Sequence, residues 1–226
     1  MYKFFDRDNN TLVLRPDITP SIARCVAKYY ADEELPVRLC YTGNTYTNTL
    51  KLQGKLKEVT QIGAELVNDD SSAADAEIIA TVIDCFNEIG ISDFQIEIGQ
   101  IDYFKGLVAE SGISEDEEDQ IKEYIHIKNF FGLEEYVDAL DISDSLKKAF
   151  VAFDSLFGGI SMLDKAEGYV SNETSLEAVK RLRRVYAALE CYGYQDHISF
   201  DLGMLDGYNY YTGTVSYTHL TLPTIA

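Results

Sequence analysis

The chain has 226 residues, with 19 basic against 38 acidic side chains and a formal net charge of −19. That length buries a core in one large domain or two small ones. The charge disfavours a broad nucleic-acid footprint, which needs basic surface to displace counterions from phosphate, and no stretch nears the roughly 20 apolar residues of a membrane span.

The chain opens on "YKFFDRDNNTLVL", a strand-turn-strand pattern with "RDNN" as the turn. A fold that starts in mid-hairpin implies further sequence before it. "TLVLRP" (11–16) reads as a strand stopped by Pro16, and "TPSIARCVAKYY" (19–30) as a helix with Thr19 as N-cap and Pro20 in its first turn. "VRLCYTGNTY" and "LKEVTQIGAELV" are two strands joined by a basic, polar loop, an antiparallel hairpin. "SAADAEIIATVIDCFNEIG" (72–90) has helical apolar spacing and a terminal glycine, and "FQIEIGQ" (94–100) returns to a period of two.

Residues 101–195 read as helical throughout, an inserted subdomain with breaks near Gly112, Gly132, Gly158-Gly159 and Gly168. Its acidic run "SEDEEDQ" (114–120) suits a solvated helix start, where carboxylates meet the positive end of the dipole. "HISFDLG" and "YNYYTGTV" are strand-like again. The expected organisation is therefore α/β (α+β), an antiparallel sheet flanked by helices: a core over 1–100, a mostly helical insertion over 101–195, and returning core strands over 196–215. The stretch 216–226, within "VSYTHLTLPTIA", matches nothing around it and resembles one reading frame of a transposon-end sequencing adaptor, so His219 carries no weight.

The four cysteines, Cys25, Cys40, Cys85 and Cys191, are scattered and fit reduced, mostly buried thiols of a cytoplasmic protein rather than a disulfide or metal framework. No phosphate loop, nucleophile elbow or paired-histidine metal motif is present, so no cofactor is implied. His126 and His197 stand alone, as structural or exposed residues do.

Chemistry concentrates in three places. On the strand "KLKEVTQIGAELV", Gln61, Gly63 and Glu65 share a face, and the glycine leaves a hole between an amide and a carboxylate that suits an ammonium group. The competing reading is a solvent face with a glycine for close packing. Asp17 and Thr19 either cap the helix or sit at the rim of the same pocket. Tyr208, Tyr210 and Tyr211 are core aromatics, or one of them lines a pocket.

Taken in order, "LVLRPDITPSIARCVA", "RLCYTGNTYTN", "GKLKEVTQIGAEL", "ADAEIIA" and "LGMLDGYNYYTGTV" resemble the class II core of histidyl-tRNA synthetases. They resemble more closely the synthetase-like regulatory subunits of ATP phosphoribosyltransferase. The resemblance covers about residues 1–215. It implies histidine binding by Asp17, Thr19, Gln61, Glu65 and Tyr211. It also exposes departures. Synthetases carry an arginine and a glutamate where Thr47 and Thr49 stand here, and the histidyl enzymes carry an arginine and an aspartate where "DGYNYY" has Asp206 and Asn209. Positioned cations drive adenylate formation, so these positions imply that synthetase activity is lost while histidine binding is kept. The implied role is a non-catalytic regulatory subunit. Its partners would be the catalytic short-form ATP phosphoribosyltransferase, a second copy of itself in a dimer, and L-histidine as effector; tRNA and membrane are not among them. An active histidyl-tRNA ligase and a stand-alone histidine-binding module are the alternatives.

Overall fold

The computed structural model describes residues 1–48, 56–205 and 213–220. The chain divides into two compact units, Met1–Asp70 and Ser71–Ala226.

In the first unit, β1 (Lys3–Phe5) and β2 (Thr11–Val13) form an antiparallel hairpin with Lys3 opposite Val13. Its turn is fixed by Asp6, whose carboxylate accepts bonds from the backbone N–H groups of Asp8 (2.9 Å) and Asn10 (2.8 Å) and from the Asn10 amide (2.9 Å). Those donors, the Asn10 side chain foremost, hold the Asp6 carboxyl below its ordinary value. Asn9 takes the left-handed conformation at φ 61°, which asparagine tolerates.

Helix α1 (Thr19–Tyr29) follows. Thr19 is its first helical residue and not the expected N-cap; Ile18 holds the cap position without a side-chain bond. The Thr19 hydroxyl is engaged elsewhere, and Asp17 Oδ1 accepts the Thr19 backbone N–H at 3.2 Å. Strands β3 (Val37–Tyr46) and β4 (Glu58–Val67) pair antiparallel from Val37↔Val67 to Tyr46↔Glu58, as the two apolar-polar runs predict. Among the described residues of this unit only Ile18 and Thr45 are buried.

The second unit holds the main core. Helix α2 (Ser72–Glu88) starts under a Ser71 cap that accepts the Ala74 N–H, and β5 (Phe94–Gln100) has the predicted bounds. Then come α3 (Ile101–Ser111), α4 (Glu115–His126), α5 (Phe130–Asp138), α6 (Asp144–Val151), the two-residue strand β6 (Phe157–Gly158), α7 (Met162–Tyr169) and α8 (Glu173–Tyr192). Strands β7 (Ile198–Asp201) and β8 (Thr214–Leu220) complete a sheet of order β6-β7-β5-β8. The β5–β7 pair is parallel, with Ile96 opposite Ile198, whereas the expectation was an antiparallel sheet; the β5–β8 and β6–β7 pairs are antiparallel. Backbone pairing continues past Val215 to Leu220, into the stretch expected to be foreign, and is a property of the backbone rather than of the segment's origin.

The acidic run is a helix start: Ser114 and Glu117 form a reciprocal capping box at the head of α4. Gly112 ends α3 in the left-handed conformation, as expected. Breaks do fall near Gly132 and Gly168, but the glycines themselves lie just inside α5 and α7. The break before α5 falls at Lys128, whose φ is 54°. Gly132 is required because an added Cβ would stand 2.7 Å from the Asn129 amide that caps this helix. The cysteines also differ from expectation: Cys25 is half-buried, and Cys40, Cys85 and Cys191 are exposed. His197 is structural, stacked on Phe94 at 4.3 Å. No helix among the described residues is long and apolar enough to cross a membrane.

Candidate functional site

Four of the five expected histidine-site residues, Asp17, Thr19, Gln61 and Glu65, fall in the first unit. Tyr211 lies outside the described residues, as do Thr49, Asp206 and Asn209. The β3–β4 register decides which side chains meet. Gln61 stands opposite Gly43, Gly63 opposite Tyr41, and Glu65 opposite Leu39. Directly opposed residues share a face, so Gln61 and Glu65 do lie on one side, as the period of two requires.

The start of α1 reaches this face. Thr19 Oγ1 donates to Glu65 Oε1 at 2.7 Å, joining the helix start to the strand. Both groups are half-buried, which strengthens a hydrogen bond to a carboxylate relative to bulk water. Ile18 packs against Gly43, where a Cβ would come within 3.2 Å of Ile18 Cδ1. Asp17 is exposed and accepts the Thr19 N–H.

The hole expected at Gly63 is closed. A Cβ built there would overlap the Tyr41 phenol and stand 2.7 Å from its ring Cε1. The ring of the opposing strand thus occupies the space between amide and carboxylate. Glycine is needed at 63 for that ring to lie across the strand.

Arg15 was not among the expected residues. Its Nε donates to the Asn44 carbonyl at 2.7 Å, and its backbone carbonyl accepts the Tyr46 N–H at 2.9 Å. The guanidinium crosses Gly43, since a Cβ there would stand 2.7 Å from Arg15 Nη2. A cation therefore sits over the position opposite Gln61. The signal in sequence was the pair of glycines, one on each strand, each making room for a long side chain; the partners could be read only from the register. Thr47 continues the ladder, its N–H bonded to the Lys57 carbonyl at 3.0 Å, and its side chain is exposed.

One face of a two-stranded sheet thus carries a carboxylate, a hydroxyl, an amide, a phenol and a guanidinium. That set matches a zwitterion, with acceptors for an ammonium group and a fork of donors for a carboxylate.

The sequence profile described as "Histidyl-tRNA synthetase" matches residues 1–219. The chain belongs to the histidyl-tRNA synthetase family. Within that family it is 43% identical over 215 residues to a protein of Acetivibrio thermocellus named ATP phosphoribosyltransferase regulatory subunit, covering 95% of this chain and 51% of that one. A protein of the same name from Clostridium acetobutylicum is 38% identical over 97% of this chain and 55% of its own length. The chain spans about half the length of these curated relatives. Among solved structures, an ATP phosphoribosyltransferase regulatory subunit/histidyl-tRNA synthetase of Bacillus halodurans superposes with a TM-score of 0.89 at 34% identity, over 99% of this chain and 58% of that one. The fold also matches a HisG:HisZ ATP phosphoribosyl transferase complex of Thermotoga maritima, with a TM-score of 0.76 at 18% identity, over 97% of this chain and 76% of that one. These likenesses make the α/β class that of the class II synthetase core, as the sequence resemblance implied.

Proposed function

We propose that this chain is part of a non-catalytic regulatory subunit of ATP phosphoribosyltransferase. It would serve the first step of histidine biosynthesis in the cytoplasm, bound to a short-form catalytic subunit and paired with a second copy of itself. The observation that carries the reading is the name shared by relatives as similar as 43% identical over nearly the whole chain. The residue pattern supports it. Thr47, at the end of the β3–β4 ladder, offers a neutral hydroxyl where adenylate chemistry uses an arginine to grip phosphate. Thr49, Asp206 and Asn209 extend the same argument from sequence alone.

L-Histidine is the proposed effector. Its ammonium group would be accepted by Glu65 and Gln61 beside Thr19, and its carboxylate would face Arg15. Asp17 acts in this reading by holding the N–H of Thr19, and Tyr211 is proposed only from the family resemblance. Feedback requires that histidine bind two states of the assembly with different affinity.

Reconstitution tests the function: the short-form catalytic subunit should make phosphoribosyl-ATP only when mixed with the regulatory subunit, and histidine should suppress that activity. In calorimetry Glu65→Ala should abolish histidine binding, and unchanged affinity would move the site elsewhere. The second reading, an active histidyl-tRNA synthetase, is favoured by the family profile itself. Histidine-dependent exchange of labelled pyrophosphate into ATP separates the two; exchange is expected to be absent, and robust exchange would establish the ligase.

A further inference from the structure

The second unit contains a cavity of about 330 Å³ lined by Glu97, Asp154, Asp201, Lys128, Phe130 and Phe157, with Ile125, Phe153 and Gly203 completing it. That volume lies in the range of small-molecule sites, and the lining is built by the sheet. Phe157 stands directly opposite Asp201 in the β6–β7 pair, and Glu97 is opposite Ser199 in the β5–β7 pair. The alternation of side chains then puts Glu97, Ser199, Asp201 and Phe157 on one face. Ser199 Oγ on this face is buried and has no hydrogen-bond partner among the described residues. Asp201 is held in place by accepting the Gly203 N–H at 2.7 Å.

The opposite wall comes from the helical segment. Lys128 sits in the left-handed turn between α4 and α5, fixed by its own N–H bond to the Ile125 carbonyl at 3.0 Å. Phe153 is buried in the core, Phe130 packs against it, and Phe157 is 62% exposed. Three carboxylates, one ammonium and three phenyl rings thus line one space. The carboxylates outnumber the cation, and a carboxylate offers about four acceptor sites in all. Aromatic faces attract cations and bury apolar rings.

We propose that this cavity is a ligand site for a small aromatic amine, with its ammonium group between Glu97 and Asp201 and its ring among Phe130, Phe153 and Phe157. An aromatic amino acid fits most fully, because Lys128 would meet its carboxylate. Its lining residues all belong to the second unit, and it does not rest on the function proposed above.

Equilibrium dialysis of the intact 226-residue chain against phenethylammonium, L-phenylalanine and hydrocinnamate tests it. Saturable binding is expected for the first two and none for hydrocinnamate, which has no ammonium group. Glu97→Gln and Asp201→Asn should each weaken both ligands about tenfold or more, the loss of one charge-assisted hydrogen bond. Asparagine at 201 keeps the acceptor for Gly203. Lys128→Asn, which preserves the left-handed turn, should weaken L-phenylalanine and leave phenethylammonium unchanged. Glu65→Ala should alter none of these, so failure here and failure of the histidine site are distinguishable. The proposal is overturned by no saturable binding to a chain with intact circular dichroism, by binding that is unchanged in both carboxylate variants, or by equal binding of hydrocinnamate.

Discussion

Tyr41 lies across Gly63 in the space between Gln61 and Glu65, so any ligand seated there must displace its ring or share the gap with it. Displacement reduces apparent affinity by the fraction of time the ring is absent. Tyr41→Ala should therefore bind histidine severalfold more tightly than the parent chain in calorimetry; weaker binding would make the phenol part of the binding surface. The Thr19–Glu65 bond of 2.7 Å acts differently, because it orients a carboxylate that still has other acceptor sites. Much of this was legible in sequence: the period of two put Gln61 and Glu65 on one face, and the glycine at 63 announced a gap. What filled the gap was not legible. Tyr41 and Arg15 reach the two glycines through cross-strand register and through the path of the chain before α1, and local pattern does not encode either.

Among the elements, α3 and α8 pack most tightly where Gly106 faces Ser175. A Cβ on Gly106 would overlap Ser175 Oγ and Asn172 Oδ1 and stand 2.8 Å from the Ser175 backbone nitrogen. Those atoms are committed: Ser175 Oγ donates to the Tyr103 carbonyl at 2.7 Å, and Asn172 Oδ1 accepts the Ser175 N–H at 2.7 Å as the cap of α8. Gly106→Ala should destabilise the second unit by about 1–3 kcal/mol through overpacking, read from the denaturant midpoint. Helix and strand boundaries with strong local signals, such as the Ser114 capping box and the alternation in β5, were predictable from neighbours in sequence. Gly132 lies beside a break without making it, because glycine also serves close approach inside helices, and only the three-dimensional neighbours distinguish that use from a break. The parallel pairing of β5 with β7 was hidden for a related reason, since strand direction depends on the connection and not on the strand.

At the scale of the molecule the two units differ in how much they bury. The second has an extended core running from Ala76 to Leu205, and at its centre lies the Tyr103 phenol, fully buried and donating to the Ala166 carbonyl at 2.9 Å. Burial, with a lesser contribution from the charge of Tyr169, pushes the Tyr103 hydroxyl well above the ordinary tyrosine value of 10.0. A raised value favours the neutral form in the folded state. Its contribution is complete below about pH 10 and is lost as pH rises from there through the folded value. Tyr103→Phe should lose about 1 kcal/mol near neutral pH and decline less steeply above pH 10, a difference measured by urea titration at several alkaline pH values. The β5–β7 pair carries a further consequence, for the time course of folding. These neighbouring strands are joined only through residues 101–197, so their pairing closes a very long loop, and closure grows costlier with loop length and slows contact formation. Prior folding of the six helices α3–α8 shortens that loop to the distance between their two ends. Refolding should accordingly show helical circular dichroism first and a slower phase afterwards, with the amides of β5 and β7 the last of the second unit to gain protection in pulse-labelled hydrogen exchange.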